Sequence, residues 1–179
     1  MGTQLLRWLD EHTPEEISRR FTIPLSRMIE NSQDTLLRTI HYPPLTGSEE
    51  EGAVRAASHE DINLITLLPA ATAPGLQVRD TTGHWHDVPC DPGTIVVNSG
   101  DMLKEASQGY YPSTSHQVIN PRGPEARSSR YSMPLFLHAR SDVRLSDRYT
   151  AGTYLRERLT QIGLLDPAGG SPAINKTSG

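Results

Sequence analysis

The 179-residue chain is long enough to bury one substantial core, so we expect one compact domain. Hydrophobic residues make up 35% of it and charged residues 21%, with 14 Gly and 14 Pro, which excludes a disordered chain and favours short strands joined by turns. The formal net charge is -4 and no basic stripe is present, so nucleic acid is not an expected partner.

The first 35 residues are predicted to form a helical segment. A second helix is expected from about Thr13, because Thr13-Pro14-Glu15-Glu16 has the form of a capping box with proline at the first helical position. It should end near Phe21, since Pro24 lacks a backbone donor and disfavours helical geometry in the residue before it. Apolar surface for the first helix comes from Leu5, Leu6, Trp8 and Leu9.

Between Leu36 and His138, short apolar or alternating runs are separated by turn residues, which is the pattern of an all-β sandwich or barrel. About seven strands are predicted, with another near Met102. Turns are expected at Asp80-Thr81-Thr82-Gly83 and Asp91-Pro92-Gly93. The predicted strands are Leu36 to Tyr42, His59 to Leu68, Leu76 to Asp80, Trp85 to Pro89, Thr94 to Asn98, Thr114 to Ile119 and Arg130 to His138.

A last helix is expected from Thr153 to Leu165, where apolar residues follow a helical stripe that can lie against the outside of a sheet. Residues 166–179 are predicted to be a flexible tail. The expected organisation is therefore a helical segment over 1–35, a β domain over 36–165 and the tail.

A candidate metal site begins with His59-Glu60-Asp61. In an extended strand, side chains two residues apart project from the same face, so the imidazole and the carboxylate should converge. His116, on a later predicted strand, is the candidate third ligand. Two histidines and one carboxylate on one face of an iron leave positions open for a cosubstrate and dioxygen, whereas structural zinc sites usually have four protein ligands.

A His-x-Asp pair that stands alone is weak evidence for a metal site. The chain contains seven histidines, so such a pair arises easily by chance, and most histidines are surface or hydrogen-bonded residues. His84 and His86 are expected to be ordinary solvated residues near a turn, because a His pair on a loop lacks a carboxylate partner.

A second polar pair is formed by Arg130 and Ser132 in the segment Arg130-Tyr131-Ser132. It strengthens the case that His59 and Asp61 belong to a functional site. Arginine supplies a planar fork suited to a carboxylate, and serine on the same strand face adds a hydroxyl donor. Arg130 opens the apolar run that ends at Leu137, where an unpaired charge would be costly, so a bound carboxylate is the expected partner. Phe136 and His138 share this strand face and are candidate pocket residues.

Taken in order, these motifs resemble the isopenicillin N synthase-like iron(II) and 2-oxoglutarate-dependent dioxygenases, in a form closer to the bacterial members. The similarity extends from about Leu36 to Leu165. The matching segments are Leu37-Arg38-Thr39-Ile40-His41-Tyr42-Pro43-Pro44, His59-x-Asp61, Gly75-Leu76-Gln77-Val78, Val96-Val97-Asn98-Ser99-Gly100-Asp101, Ser115-His116-Gln117-Val118 and Arg130-x-Ser132.

The resemblance implies a mainly β fold, the double-stranded β-helix or jelly roll, over residues 36–165. It implies that His59, Asp61 and His116 bind Fe(II), and that Arg130 and Ser132, assisted by Tyr42, hold the distal carboxylate of the cosubstrate 2-oxoglutarate. The expected activity is oxidation with dioxygen, by default hydroxylation, of a small organic substrate that the sequence does not name.

The chain departs from the family pattern in three places. Ile40 stands where plant members often have an asparagine, and the loop Asn120 to Ser129 is longer than in plant members. Only about 35 residues precede the predicted jelly roll, where family members usually have a substantial N-terminal region. We therefore expect either a short form or a fragment.

Three alternatives stay open at this point. An oxidase of the isopenicillin N synthase type would use iron and dioxygen without 2-oxoglutarate and would hold a substrate carboxylate with the Arg-x-Ser pair. A truncated, non-catalytic jelly roll would bind metal and cover its apolar faces with a partner or a second copy. A cupin-like zinc or sugar-binding protein is disfavoured by the placement of Arg130 and Ser132.

The expected compartment is the cytoplasm. Cys90 is the single cysteine, so no intrachain disulfide can form, and the sequence opens without a charged-then-apolar leader. No apolar run is long enough to span a bilayer, so no membrane partner is expected. The oligomeric state is left open.

Overall fold

A computed structural model describes residues 1–166, so the predicted tail lies outside the described residues except for Asp166. The α-helices are α1 (Gly2–His12), α2 (Glu15–Ser18), α3 (Leu25–Met28), α4 (Asp101–Ala106) and α5 (Ala151–Gln161), and a 3-10 helix spans Gly123–Arg127. The strands are β1 (Leu36–Leu37), β2 (Ile40–Tyr42), β3 (Ala56–His59), β4 (Ile65–Pro69), β5 (Leu76–Arg79), β6 (Trp85–Asp87), β7 (Ile95–Ser99), β8 (His116–Val118), β9 (Arg130–Ser132) and β10 (Leu135–Leu137).

The strands form antiparallel sheets in the arrangement of a jelly roll, which confirms the expected fold class. One four-stranded sheet has the order β1-β10-β4-β7, a second has the order β3-β8-β5-β6, and β2 pairs with β9. Most neighbours in these sheets are distant in sequence, so the sheets bring together residues that are far apart in the chain. The turns before β6 and β7 contain Gly83 and Gly93 at positive φ, as their turn motifs predict.

The N-terminal helices are held by side-chain caps that differ from the predicted one. Asp10 of α1 accepts hydrogen bonds from the backbone amides of Leu25 (2.6 Å) and Ser26 (3.0 Å) at the start of α3. The predicted capping box at Thr13 is wrong: the Thr13 hydroxyl donates to the carbonyl of Leu9 at the end of α1, and Pro14 precedes α2 without a side-chain cap. Pro24 likewise stands at the start of a helix, because its fixed φ suits that position.

Two predicted strands are divided in the structure. The run Leu36 to Tyr42 splits into β1 and β2, which join different sheets. The run Arg130 to His138 is interrupted at Met133-Pro134, because Pro134 has no amide to donate to a ladder. β9 therefore pairs with β2, whereas β10 lies between β1 and β4.

The predicted strand near Met102 is wrong, because that segment is the helix α4. Met102, Leu103 and Ala106 of α4 are all buried. Their spacing of one, three and four residues suits one face of a helix rather than the alternation of a strand. A short apolar segment between two strands is ambiguous, and the packing against the other helices decides its form.

The core lies between the helices and one face of the β1-β10-β4-β7 sheet. Strand β4 shows the arrangement: Ile65 and Leu67 are buried in this core, while Thr66 and Leu68 project from the other face and line a cavity. The largest core side chains come from α1, α3, α4, β4 and β10 and from the connecting segments at Leu64 and Leu145: Leu6, Leu25, Met28, Leu64, Ile65, Leu67, Met102, Leu103, Leu137 and Leu145.

The C-terminal helix is confirmed, with bounds Ala151–Gln161 rather than Thr153 to Leu165. Thr150 caps it by accepting a hydrogen bond from the amide of Thr153. Arg158 of this helix pairs with the buried carboxylate of Asp101 at 2.9 Å, which ties α5 to the start of α4. Among residues 1–166, no helix has the length and hydrophobicity needed to cross a membrane.

Candidate active site

A cavity of about 340 Å³ lies between the two four-stranded sheets and the β2-β9 pair. Its walls are mainly aliphatic and aromatic side chains, so a ligand inside would be shielded from water. The apolar wall includes Leu68, Leu76, Val78, Val88, Val96 and Phe136. The polar side chains that line this cavity include all the predicted metal-binding and cosubstrate-binding residues, which are His59, Asp61, His116, Arg130, Ser132 and Tyr42.

His59, Asp61 and His116 meet at this cavity, and their candidate ligand atoms all lie within 4.8 Å of one another. The structural reason why these three side chains converge differs from the predicted one. β3 ends at His59 and Asp61 lies in the loop between β3 and β4, so the expected continuous strand from His59 to Leu68 is wrong. His59 and His116 are instead direct partners across the β3-β8 pair, with ring centroids 4.3 Å apart.

Both histidines are oriented by the backbone carbonyl of the residue two positions earlier in the chain. The Nδ1 of His59 lies 2.7 Å from the carbonyl oxygen of Ala57, and the Nδ1 of His116 lies 3.0 Å from that of Thr114. A carbonyl oxygen only accepts, so each Nδ1 is the donor in its contact, and in the neutral imidazole this leaves the lone pair on Nε2. This arrangement fixes the tautomer that a metal-binding imidazole requires.

The carboxylate of Asp61 is buried, with 6% of the residue exposed, and is held at one oxygen. Its Oδ2 accepts hydrogen bonds from the Thr66 hydroxyl (2.6 Å) and the Asn98 amide (2.9 Å), and Asn63 donates to Thr66 (2.8 Å). Its Oδ1 lies 3.7 Å from Nε2 of His116. One oxygen is therefore anchored, and the other faces the histidines.

Sequence reasoning did not assign roles to Thr66 and Asn98. Asn98 lies within the Val96 to Asp101 segment that resembles the family, so its position was a usable signal. Thr66 also had a usable signal in the sequence. It is a polar residue on β4 between the buried Ile65 and Leu67, and the alternation of a strand turns its side chain toward the opposite face.

We expect Thr66→Val to weaken metal binding without unfolding the protein. Valine keeps the shape of threonine but removes the hydroxyl, so Asp61 loses a donor and Asn63 loses an acceptor. Losing an outer hydrogen bond of this kind typically lowers metal affinity by about 10-fold or more. Competition with a chromophoric chelator measures the affinity, and Thr66→Ser, which keeps the hydroxyl, is the control. Equal affinities for Val and Ser would contradict the role of the hydroxyl.

The loop between β3 and β4 that contains Asp61 is packed directly against Gly100. The amides of Gly100 and Asp101 donate to the carbonyls of Leu64 (3.0 Å) and Asp61 (2.8 Å). A Cβ added to Gly100 would lie 2.8 Å from the carbonyl oxygen of Asp61 and closer still to Asn63. The φ of Gly100 is -116°, which any residue can adopt, so the close approach of the two backbones requires glycine here.

We expect Gly100→Ala to lower the free energy of unfolding by about 3 kcal/mol, because backbone atoms rather than a flexible side chain oppose the new methyl group. Urea denaturation measures the change. Gly93→Ala is the comparison, since Gly93 has open space around its Cα and only a positive φ to oppose alanine. A loss no larger than that of Gly93→Ala would contradict the packing argument.

The donor set fits a divalent transition metal of the iron type. Two neutral imidazoles and one carboxylate form the three-ligand arrangement of mononuclear iron sites that keep positions open. Two atoms that each bond one ion at about 2.1 Å can be at most about 4.2 Å apart, so the three groups need only a slight inward movement. Among residues 1–166, no other group of histidine, cysteine or acidic side chains has this geometry.

Arg130, Ser132 and Tyr42 also line the cavity. They lie on the β2-β9 pair, where Tyr42 is opposite Arg130 and Ile40 is opposite Ser132. Arg130 is 2% exposed, donates from Nε to the carbonyl of Ala73 (2.9 Å), and leaves its buried Nη1 without a partner. Burial lowers the pKa of Arg130, while interaction with Tyr42 raises it. No acidic group within residues 1–166 forms an ion pair with this guanidinium.

The remaining candidate residues divide as follows. Phe136 lines the cavity, whereas His138 is buried beside it but is not part of its lining, and burial lowers the pKa of His138. His84 and His86 lie on the surface as predicted. The expectation that they lack a carboxylate partner is wrong, because Nε2 of His86 lies 2.6 Å from Asp80.

Comparison with known proteins matches the part of the chain that contains these residues to one family. The family model of the 2OG-Fe(II) oxygenase superfamily matches residues 33–139, more than half of the chain. A Shewanella oneidensis protein assigned as an oxygenase has a crystal structure with 59% identity and a TM-score of 0.83, over 92% of this chain and 60% of that one. A full-length Neurospora crassa protein, crystallised in complex with alpha-KG and thymine, has 31% identity and a TM-score of 0.64, over 72% of this chain and 44% of that one.

Among curated proteins, a 2-oxoglutarate-Fe(II) type oxidoreductase of Aspergillus fumigatus is 38% identical over 107 residues, which cover 59% of this chain and 31% of that protein. The 2-oxoglutarate-dependent dioxygenase citB of Monascus ruber is 36% identical over 119 residues, which cover 65% of this chain and 35% of that protein. The chain thus spans about a third of the length of these relatives.

Proposed function

The chain belongs to the 2OG-Fe(II) oxygenase superfamily, and from this we propose that it is a non-haem iron(II) oxygenase that couples decarboxylation of 2-oxoglutarate to oxidation of a small organic substrate. The observation that supports this proposal most directly is that one cavity is lined by both the candidate metal ligands and the candidate carboxylate-binding arginine. The His59, Asp61 and His116 cluster and the unpaired Arg130 both line its wall. Hydroxylation is the proposed outcome.

His59, Asp61 and His116 are the proposed iron ligands. Each histidine would offer the Nε2 that its Nδ1 hydrogen bond leaves free, and Asp61 would offer Oδ1, since Oδ2 is anchored by Thr66 and Asn98. Bound iron(II) would supply activation of dioxygen, which the amino-acid side chains cannot perform. The residues around it orient the ligands and exclude water.

Arg130 and Ser132, with Tyr42, are the proposed binding residues for the distal carboxylate of 2-oxoglutarate. The free Nη1 of Arg130 and the absence of an acidic partner in residues 1–166 leave a buried positive charge whose natural counter-ion is a ligand carboxylate. The aliphatic cavity walls would hold the methylene carbons of the cosubstrate and keep water away from it.

The other hypotheses are less well supported. The named relatives are 2-oxoglutarate-dependent enzymes, which does not favour an oxidase that works without this cosubstrate. A non-catalytic metal-binding jelly roll has no specific observation in its favour.

We propose further that residues 36–165 form the catalytic domain, that the substrate is not a nucleic acid, given the charge of -4, and that the protein acts in the cytoplasm.

The direct test is turnover of 2-oxoglutarate. With Fe(II), ascorbate and oxygen, the purified chain is expected to release succinate and carbon dioxide in equal amounts, slowly without substrate and faster with a suitable one. A panel of small organic molecules should include thymine, because the Neurospora structure contains it beside alpha-KG. Iron binding without any 2-oxoglutarate binding or turnover would count against the proposal.

A further inference from the structure

Arg55 is a second arginine close to the proposed carboxylate site, and no role was assigned to it from the sequence. It lies one residue before β3, and its Cζ is 6.0 Å from the centroid of the Tyr42 ring. The Cζ of Arg130 is 5.2 Å from the same centroid. Two guanidinium groups therefore face one tyrosine that lines the cavity.

Arg55 also connects the two chain segments that carry the site. Its Nη2 donates to the carbonyl of Pro43 (3.3 Å), which follows β2, and to the carbonyl of Ser128 (3.1 Å), which precedes β9. Tyr42 and Arg130 are direct partners across that strand pair. One side chain thus fixes the ends of both strands next to the two residues that would bind the carboxylate.

The two guanidinium groups form an unbalanced positive site. Neither Arg55 nor Arg130 has an acidic partner within residues 1–166. Five buried side-chain polar atoms in that part of the chain lack a hydrogen-bond partner, and Nε of Arg55 and Nη1 of Arg130 are two of them. Buried donors are almost always paired, so the free Nη1 of Arg130, which lines the cavity, indicates a missing acceptor there. Arg55 does not line the cavity and approaches it through the Tyr42 ring.

The effect of one arginine on the other agrees with this geometry. The pKa of Arg130 is lowered first by burial, and the positive charge of Arg55 lowers it further, while Tyr42 acts in the opposite direction. An anion bound near both groups would relieve the repulsion between them.

We propose that Arg55 is a positioning residue for the anionic end of the cosubstrate: it holds Tyr42 and the β2-β9 pair in place and adds a second positive charge to that of Arg130. This rests on the proposed function, since the anion is taken to be the distal carboxylate of 2-oxoglutarate. The site would therefore select a dicarboxylate over a 2-oxo acid that has only one carboxylate.

The test compares 2-oxoglutarate with 2-oxopentanoate, in which a methyl group replaces the distal carboxylate. Dissociation constants are measured by calorimetry with Zn(II) in place of iron, so no turnover is involved. Arg55→Gln is expected to weaken 2-oxoglutarate binding about fivefold and to leave 2-oxopentanoate binding unchanged. Arg55→Lys keeps the charge and should restore most of the affinity, and the loss in Arg55→Gln should shrink in high salt.

Arg20→Gln is the matched control, because Arg20 is also half-buried and donates to a distant backbone carbonyl, that of Ser107, away from the cavity. Equal losses for both ligands would show a purely structural role and overturn the proposal, as would no loss for either. If Arg55→Gln does not fold, a fivefold loss in Arg55→Lys would overturn it as well. Failure of the proposed function is seen separately, as absent 2-oxoglutarate binding by the wild type.

Discussion

Replacement of His116 by alanine is expected to abolish iron-dependent turnover and to weaken Fe(II) binding by at least about 100-fold. His116 supplies one of three ligand atoms that lie within 4.8 Å of one another, and its Nδ1 is already committed to the carbonyl of Thr114. No other histidine, cysteine or acidic residue in the described part of the chain completes a set of three with His59 and Asp61. Changing a single outer-sphere contact costs about 10-fold or more, so a lost ligand should cost far more.

Three measurements check this result. Chelator competition gives the affinity, succinate release gives the turnover, and the melting temperature with and without metal gives the linkage between binding and stability. Metal should raise the melting temperature of the wild type and of His84→Ala, whose histidine lies on the surface, but not that of His116→Ala. If His116→Ala binds Fe(II) as tightly as His84→Ala, the proposed ligand set is wrong.

Replacement of Arg130 by methionine is expected to separate stability from binding. The dissociation constant for 2-oxoglutarate should rise by about 100-fold, because the ligand loses its charge-assisted partner inside a mainly apolar cavity. The free energy of unfolding, by contrast, should be unchanged or rise by about 1 kcal/mol, because removing a buried charge that has no acidic partner offsets the lost hydrogen bond to Ala73. A residue retained for the fold would give the opposite pattern.

Calorimetric titration and urea denaturation measure the two effects. Arg130→Lys keeps the charge but not the planar fork, so its affinity should lie between those of wild type and Arg130→Met. Arg127→Ala is the control, since Arg127 is exposed at the end of the 3-10 helix just before β9. Unchanged 2-oxoglutarate affinity in Arg130→Met would mean that the arginine binds something else, such as a substrate carboxylate.

The fold class was predictable because it depends on local pattern, and alternating runs such as Thr114 to Ile119 indicate the strands. The candidate site residues were predicted from the order of His59-x-Asp61, His116 and Arg130-x-Ser132 together with their family resemblance, and the structure brings all of them to one cavity. What the pattern could not show was pairing. His59 meets His116 because β3 and β8 are neighbours in a sheet, and that register depends on residues across the whole chain.

The wrong predictions likewise concern features that depend on packing between distant parts of the chain. Pro24 was expected to end a helix and instead starts one, because proline suits both positions and only packing distinguishes them. Met102 was placed in a strand, although its buried neighbours follow a helical spacing. Arg55 was overlooked because its partners, Pro43 and Ser128, are loop carbonyls that no side-chain motif announces.

The alternation along β4 has an evolutionary consequence. Ile65 and Leu67 belong to the hydrophobic core, whereas Thr66 and Leu68 border the cavity, so neighbouring codons affect different properties of the protein. A change at Leu67 would alter thermal tolerance with little direct effect on ligands. A change at Leu68 would alter the shape of the cavity with little effect on the core. A lineage could therefore adapt to a new temperature or to a new substrate by separate mutations within the same short strand.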